Sequence, residues 1–277
     1  MAIVQSEENG YYGRIASSKE FAENERYYWG YQYLLARDVI VPELMQRGAF
    51  KAGDAVAEIG CGEAGVLDAF VERGAVHGLG TDIAPYRLSI ARKVADTLGI
   101  DITVSEHDIL FSEPLPEWRN RYQLAILRDV IEHLDDATLA LKNIRNILAP
   151  GGWLYVTFPP YNSPYGGHQH LLHNSWGKIP YMHLLPEPLF KPMISTSTSA
   201  IDIEEVQRLR NIRLSASKFM QAARDAGYSI EHEEYYLFRP VFKLKFGLPT
   251  IRLTALKSLP LVKSVFSLEA AYLLRMT

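Results

Sequence analysis

Residues 54–65 read Asp-Ala-Val-Ala-Glu-Ile-Gly-Cys-Gly-Glu-Ala-Gly, and the fold follows from how that stretch must be built. Ala55–Ile59 is short and mostly apolar, which suits a strand covered on both faces of a parallel sheet. Gly60, Gly62 and Gly65 give the G-x-G-x-x-G spacing, and Val66–Phe70 reads as the start of a helix. Glycines at these places allow a tight strand-to-helix turn, and they let the backbone press against a ligand where a Cβ would obstruct it. Two acids frame the turn. Glu58 stands at the carboxyl end of the strand, and Asp82 ends the next strand-like run, Val76–Thr81, 17 residues after the last glycine. An acid at that place can bind both hydroxyls of a ribose.

Outward from this turn the same alternation repeats. Short apolar runs near 76–81, 102–106, 123–128 and 153–158 alternate with helical patterns, so residues 51–158 are expected to form the cofactor-binding half of a doubly wound, mostly parallel α/β sheet. Tyr228–Leu237 and Ala270–Arg275 read as a sixth and a seventh strand. The helix Ser215–Ala226 precedes them, N-capped by Ser215 and ended by Gly227. Residues 1–50 are rich in aromatics and read as a helical cap or lid, with Phe21, Tyr28, Tyr31 and Leu35 near one face. Residues 159–205 open on a turn-forming Pro/Gly run followed by His168-Gln169-His170-Leu171-Leu172-His173, and Ser195–Ser199 reads as a mobile polar stretch. This segment is expected to be an insertion over the carboxyl ends of the strands, where open α/β sheets bind ligands. Residues 206–277 complete the sheet and contain a second insertion, 239–267, which carries Arg239, Lys243, Lys245, Arg252, Lys257 and Lys263 and no acid.

The bulk numbers narrow the class. A chain of 277 residues with 48% hydrophobic and 22% charged residues has the composition of a soluble globular protein. Its net charge of −3 gives no global attraction to nucleic acid. The single cysteine, Cys61, excludes an intrachain disulfide and an all-cysteine zinc site. No basic-then-apolar leader and no membrane-length apolar run is seen, so a cytoplasmic location is expected.

The acids decide between ligands. A dinucleotide would bring its pyrophosphate across a turn where Glu58 and Glu63 repel it, whereas a ligand with a cationic amino acid end is not repelled. That favours S-adenosylmethionine. Glu58–Gly65, Asp82, Asp108 within His107-Asp108-Ile109, Asp129–Leu134 and Leu148-Ala149-Pro150-Gly151-Gly152 then follow in order at βαβ spacing. On these residues, over about two-fifths of its length, the sequence resembles the class I S-adenosylmethionine-dependent methyltransferases. The resemblance implies a seven-stranded Rossmann-like sheet with an antiparallel last strand. It places Glu58 near the ammonium end of the donor, Asp82 on the ribose and Asp108 against the adenine amino group. Gly60, Cys61, Gly62, Gly65, Ile83, Ile109 and Arg128 complete the expected cofactor-binding set. The plain alternative for Asp108 is a helix or turn cap.

Asp129-Val130-Ile131-Glu132-His133 follows the fourth strand and is read as a helix start, which would put positions i, i+3 and i+4 on one face. Asp129, Glu132 and His133 there form a face for Mg²⁺, Mn²⁺ or a similar divalent metal. The pattern is similar to the acid-x-x-Glu-His of ubiquinone-pathway O-methyltransferases and of small-RNA 3′-end 2′-O-methyltransferases. Asp129 is one methylene shorter than their usual Glu, and metal-free relatives use the same residues for capping and packing, so both readings stand. His168 and His170 are candidates for a general base acting on an acceptor hydroxyl, with His133 as the competitor from the core. Gly166-Gly167 is expected to let the backbone bend so that this run closes as a lid, and His170 and His173 are expected to meet on one helical turn. The basic segment 239–267 is either a solvated face or a peripheral membrane or polyanion contact.

These observations point to methyl transfer from S-adenosylmethionine to a small-molecule or glycan-linked acceptor, with oxygen as the expected acceptor atom. One rival is a metal-dependent nucleic-acid 2′-O-methyltransferase. The acidic net charge and the lack of an RNA-binding module argue against it. The other is a non-catalytic protein that keeps the nucleotide fold, which the intact Glu58, Gly60, Gly62, Asp82 and Asp108 argue against.

Overall fold

The computed structural model of the protein describes residues 10–253 and 259–277. The first nine residues of the expected cap, and Lys257 of the basic insertion, lie outside the described residues. Ala55–Ile59 (β1) is buried at every position, as its alanines and aliphatics require. His77–Asp82 (β2) and Tyr122–Arg128 (β4) flank it in parallel. Ile102–Glu106 (β3) pairs with β2, and Leu148–Phe158 (β5) pairs with β4, also in parallel. Glu269–Met276 (β8) lies antiparallel between β5 and Tyr228–Phe238 (β6), so β6 runs in the direction of the parallel strands. Two residues, Ile251–Arg252 (β7), pair with the outer edge of β6. The sheet order is β3-β2-β1-β4-β5-β8-β6-β7.

All seven expected strands are present, and the eighth, β7, arises within the basic insertion. It is too short to give a period-two pattern. β5 begins earlier than expected because Leu148 already pairs with Tyr122 before the ladder resumes at Trp153 opposite Leu124. The turn-forming Ala149-Pro150-Gly151-Gly152 bulges out between those pairs.

One face of the sheet is covered by Tyr11–Ser17 (α1), Glu23–Leu35 (α2), Val41–Gln46 (α3), Gly65–Glu72 (α4) and Pro85–Leu98 (α5). The other is covered by Ala137–Arg145 (α6) and Ala216–Asp225 (α9), the latter N-capped by Ser215 as expected. The buried stripe of α2 differs from the expected one: Trp29, Tyr33 and Leu35 are buried, whereas Tyr28 is 43% exposed. Two hydrogen bonds, the first of them fully buried, select the stripe. Trp29 Nε1 donates to Asp68 at 2.8 Å, and the Tyr33 hydroxyl donates to Glu72 at 2.6 Å. Gly65 is glycine because α2 crosses here, and a Cβ would lie 2.5 Å from the Trp29 carbonyl oxygen.

Residues 159–205 are a packed insertion. Single turns, the helix Glu187–Ile194 (α7) and the helix Ala200–Ile212 (α8) surround a small core of Leu172, Met182, Phe190, Ile194 and Val206. The Arg210 guanidinium pins it by donating to the carbonyls of His183 and Leu185, the second at 2.7 Å, and by pairing with Glu187 at 3.2 Å. Because α8 crosses the expected boundary at 205, the inserted unit extends to Ile212. The polar stretch 195–199 is held rather than loose. Thr196 and Ser197 accept hydrogen bonds from Asn174 and His173, and Ser199 caps α8. Gly166 and Gly167 serve close packing: a Cβ on Gly166 would lie 2.1 Å from the Pro160 carbonyl oxygen, and one on Gly167 would lie 2.4 Å from His183. Among the described residues no helix is long and apolar enough to cross a membrane.

Candidate active site

The carboxyl ends of β1, β2 and β4 open on a cleft of about 650 Å³. Its floor is the turn after β1, where Gly60 and Gly62 lie at φ +72° and +53°. Side chains rarely adopt that conformation, and a Cβ on Gly60 would also lie 2.4 Å from Val130 Cγ2. Asp82 pins the turn. Its Oδ2 accepts from the Gly62 N–H at 2.8 Å and its Oδ1 from the Ala84 N–H at 2.9 Å. A carboxylate offers about four lone-pair sites, so each oxygen keeps capacity for a ribose hydroxyl. Gly60, Gly62, Asp82, Ile83, Asp108, Ile109 and Arg128 all line the cleft. Asp108 also closes its own turn, with Oδ1 accepting from the Leu110 N–H at 2.8 Å. Tyr31 and Gln32 of α2 form part of the wall on the cap side, where Gln32 donates to Glu63 at 3.3 Å.

Glu58, Cys61 and Gly65 do not line the cleft. Glu58 is 2% exposed and joins β1 to α4, its Oε2 accepting from the Leu67 N–H at 3.0 Å. Burial pushes its pKa up to about 8, against the pull of that N–H and of Arg128. Cys61 is fully buried beneath the turn.

The chain leaving β4 does not start a helix at Asp129. That residue sits at φ +53°, Ile131–His133 forms a single 3-10 turn, and α6 begins only after Asp136, whose side chain accepts from the Leu139 N–H. Asp129, Glu132 and His133 therefore do not share a helical face. The Asp129 carboxylate is instead held by Arg239, at 2.8 and 2.5 Å, and Arg239 also pairs with Glu269 at 2.6 Å. Burial pushes the Asp129 carboxyl up, but Arg239 and Arg128 outweigh it and hold its pKa at about 2.

Glu132 has the opposite surroundings. It is 3% exposed, neither side-chain oxygen has a hydrogen-bond partner, and burial pushes its pKa up to about 7 despite His133. The Nε2 atoms of His133 and His168 each lie 3.9 Å from Glu132 Oε1. One donor atom from each of Glu132, His133 and His168 lies within 4.8 Å of the others. An orphaned buried carboxylate beside two imidazoles fits a divalent cation, so the structure puts His168 where the sequence put Asp129 in the candidate metal set.

Of the three expected bases only His133 lines the cleft. Its Nδ1 lies 2.5 Å from Glu205 Oε1 on α8. Burial lowers its pKa, but the hydrogen bond to Glu205 and the charge of Glu132 outweigh that and raise it. The His168 ring lies 4.9 Å from that of His133, and burial together with His133 and His170 holds its pKa well below the usual range. His170 is exposed and sets its ring edge-on to Tyr165. His173 lies beyond the Gln169–Leu171 turn and 3.5 Å from Asp202, so it does not join His170 on a helix. Sequence reading missed Glu205 and the pairing role of Arg239. Both partners arrive from distant inserted segments, and neither lies in a motif.

A family model described as Methyltransferase domain matches residues 28–233. The ubiquinone biosynthesis O-methyltransferase of Aeromonas salmonicida (strain A449) is 25% identical over 105 residues, which are 38% of this chain and 43% of that protein. The enzyme of the same name from Leptothrix cholodnii (strain ATCC 51168 / LMG 8142 / SP-6) is 28% identical over 102 residues, 37% of this chain and 43% of that one. The chain thus spans less than half the length of these curated relatives. An S-adenosylmethionine-dependent methyltransferase from Mesorhizobium loti superposes with a TM-score of 0.53 at 17% identity, covering 84% of this chain and 96% of that one. Magnesium protoporphyrin IX methyltransferase from Synechocystis PCC 6803 with bound SAH gives 0.52 at 14% identity over 100% and 99%. At these identities the likeness to solved structures is one of fold.

Proposed function

The chain belongs to the family of that methyltransferase domain and is an S-adenosylmethionine-dependent methyltransferase; from this premise we propose that it methylates an oxygen of a small-molecule acceptor, with His133 as general base. The observation that carries the reading is the His133–Glu205 pair at the cleft, 2.5 Å apart. Oxygen as the acceptor atom is supported by the curated relatives, which are named O-methyltransferases. When bound, the donor supplies a methyl group on a sulfonium, an electrophile that needs no covalent help from the protein.

The residues of the chain orient, shield and remove a proton. A hydrogen bond from Nδ1–H to Glu205 fixes the tautomer in which His133 Nε2 accepts. As the acceptor oxygen takes the methyl group, its proton passes to that Nε2, and Glu205 stabilises the imidazolium that results. With labelled donor and a panel of hydroxylated small molecules, His133→Ala is expected to slow transfer by roughly two to four orders of magnitude. Calorimetry should find donor affinity nearly unchanged. A loss below tenfold would remove His133 from the role.

A second reading has its own observation, the unpartnered buried oxygens of Glu132. Glu132, His133 and His168 would hold a divalent ion, which would supply a Lewis acid that makes an acceptor hydroxyl easier to deprotonate. One carboxylate and two imidazoles suit zinc or manganese better than magnesium, which prefers oxygen and water. Calorimetric titration with Zn²⁺ or Mn²⁺ tests it: binding to the wild type that Glu132→Gln abolishes supports the ion, and full activity after exhaustive chelation rules it out.

A further inference from the structure

Residues 159–186 and 239–267 hold no aspartate or glutamate, in a chain with 32 acidic residues. The second stretch carries six cations in a chain of net charge −3, so the remaining residues carry −9. Charge is therefore segregated along the sequence, and topology brings the two acid-free stretches together. The first leaves the carboxyl end of β5 and the second the end of β6, which point the same way in the sheet. They touch where the Tyr181 hydroxyl donates to the Val265 carbonyl at 3.1 Å.

Both stretches also expose large apolar side chains. In the second, Phe246 of the helix Val241–Phe246 (α10) is 65% exposed, Phe266 at the end of the helix Pro260–Phe266 (α11) is 50% exposed, and Leu259 is 51% exposed. Leu244, Leu248 and Ile251 are exposed as well. In the first, Trp176 and Ile179 flank exposed Lys178. Lys243 stands exposed on α10 beside these apolar residues. Arg239 is spent on Asp129 and Glu269, but a solvated face has no use for this many apolar groups, and a protein core has no use for Lys178 and Lys243, which stand exposed among them. Apolar groups that enter the acyl boundary, interleaved with cations that meet anionic headgroups, are what an interfacial surface requires.

We propose that this acid-free rim docks the protein on an anionic lipid bilayer. The rim adjoins the active cleft. Lys245 of α10 lies 3.8 Å over the ring of Tyr31, and Tyr31 lines the cleft wall, so docking sets the cleft entrance beside the membrane surface. The inference stands apart from the acceptor chemistry above, since lipid binding requires no turnover.

Flotation of the full chain with vesicles of phosphatidylcholine, with and without phosphatidylglycerol, tests it. Binding is expected only with phosphatidylglycerol present and should fall as salt rises. Phe246→Asp with Phe266→Asp should cut the bound fraction at least tenfold, and Lys243→Glu should weaken it several-fold. S-adenosylmethionine binding by calorimetry, unchanged in each variant, establishes that the fold is intact. Equal binding to both vesicle types, or none to either, overturns the proposal. Capture on heparin that survives the double Phe variant, without vesicle binding, overturns it in favour of a soluble polyanion.

Discussion

The His133–Glu205 contact makes a statement about pH that a lone histidine would not. Because Glu205 and Glu132 outweigh burial and raise the imidazole pKa, a base at this position reaches its active, neutral form only above the ordinary histidine range. In metal-free buffer the transfer rate should therefore rise with pH through a midpoint above 6.5. Glu205→Gln should move that midpoint down while lowering the plateau. A midpoint that stays in place on this substitution would mean that Glu205 does not hold the base. His133 was legible because it stands in a motif after a strand. Glu205 was not, because Glu204 and Glu205 are equivalent in the pattern of α8 until the helix is packed against the turn at 131–133. Asp129 shows the converse. Its motif position suggested a ligand, and only the arrival of Arg239, 110 residues away, spends its charge elsewhere.

At the level of elements, the strands were legible and the inserted segments were not. A buried parallel strand has to be apolar along its length, so β1 and β4 announce themselves locally. The insertion after β5 is held by contacts between residues far apart, such as Arg210 to the His183 carbonyl, and its prolines and glycines read as loop. Gly166 and Gly167 carry the lesson most clearly, since paired glycines suggest a hinge yet here admit neighbouring atoms. Gly166→Ala must displace the Pro160 carbonyl, and an overpacked site of this kind costs about 1–3 kcal/mol. A lower melting temperature with faster proteolysis inside 159–212 is the expected result. Unchanged melting and cleavage would restore the hinge reading.

For the whole molecule, buried acids set the response to pH, Glu58 and Asp68 foremost and Glu132 in the same direction. Burial pushes Glu58 and Asp68 to about 8 from ordinary values of 4.5 and 3.8. The folded state keeps protons that the unfolded state releases, so stability is fullest below those ordinary values and declines as pH rises through them to about 8. Asp129 acts oppositely, its contribution being lost only as pH falls from 3.8 towards 2. The ligand-free protein should accordingly melt several degrees higher at about pH 6 than at about pH 8.5. A melting temperature that is flat or rising over that interval would show that the two acids are solvated in the folded state.

The position of β8 between β5 and β6 bears on how the chain is made. Synthesis delivers β1 to β5 first, and β6 follows with only the two-residue β7 to pair with, because the strand that separates it from β5 lies at residues 269–276. Until those residues leave the ribosome, β5 presents an open edge of the kind that recruits strands from other chains. Arg239 also waits without Glu269, the second of its two acidic partners in the fold. Loss of this one strand during translation would thus leave a nascent chain with its donor-binding strands laid down and its sheet open, a substrate for chaperones rather than an enzyme.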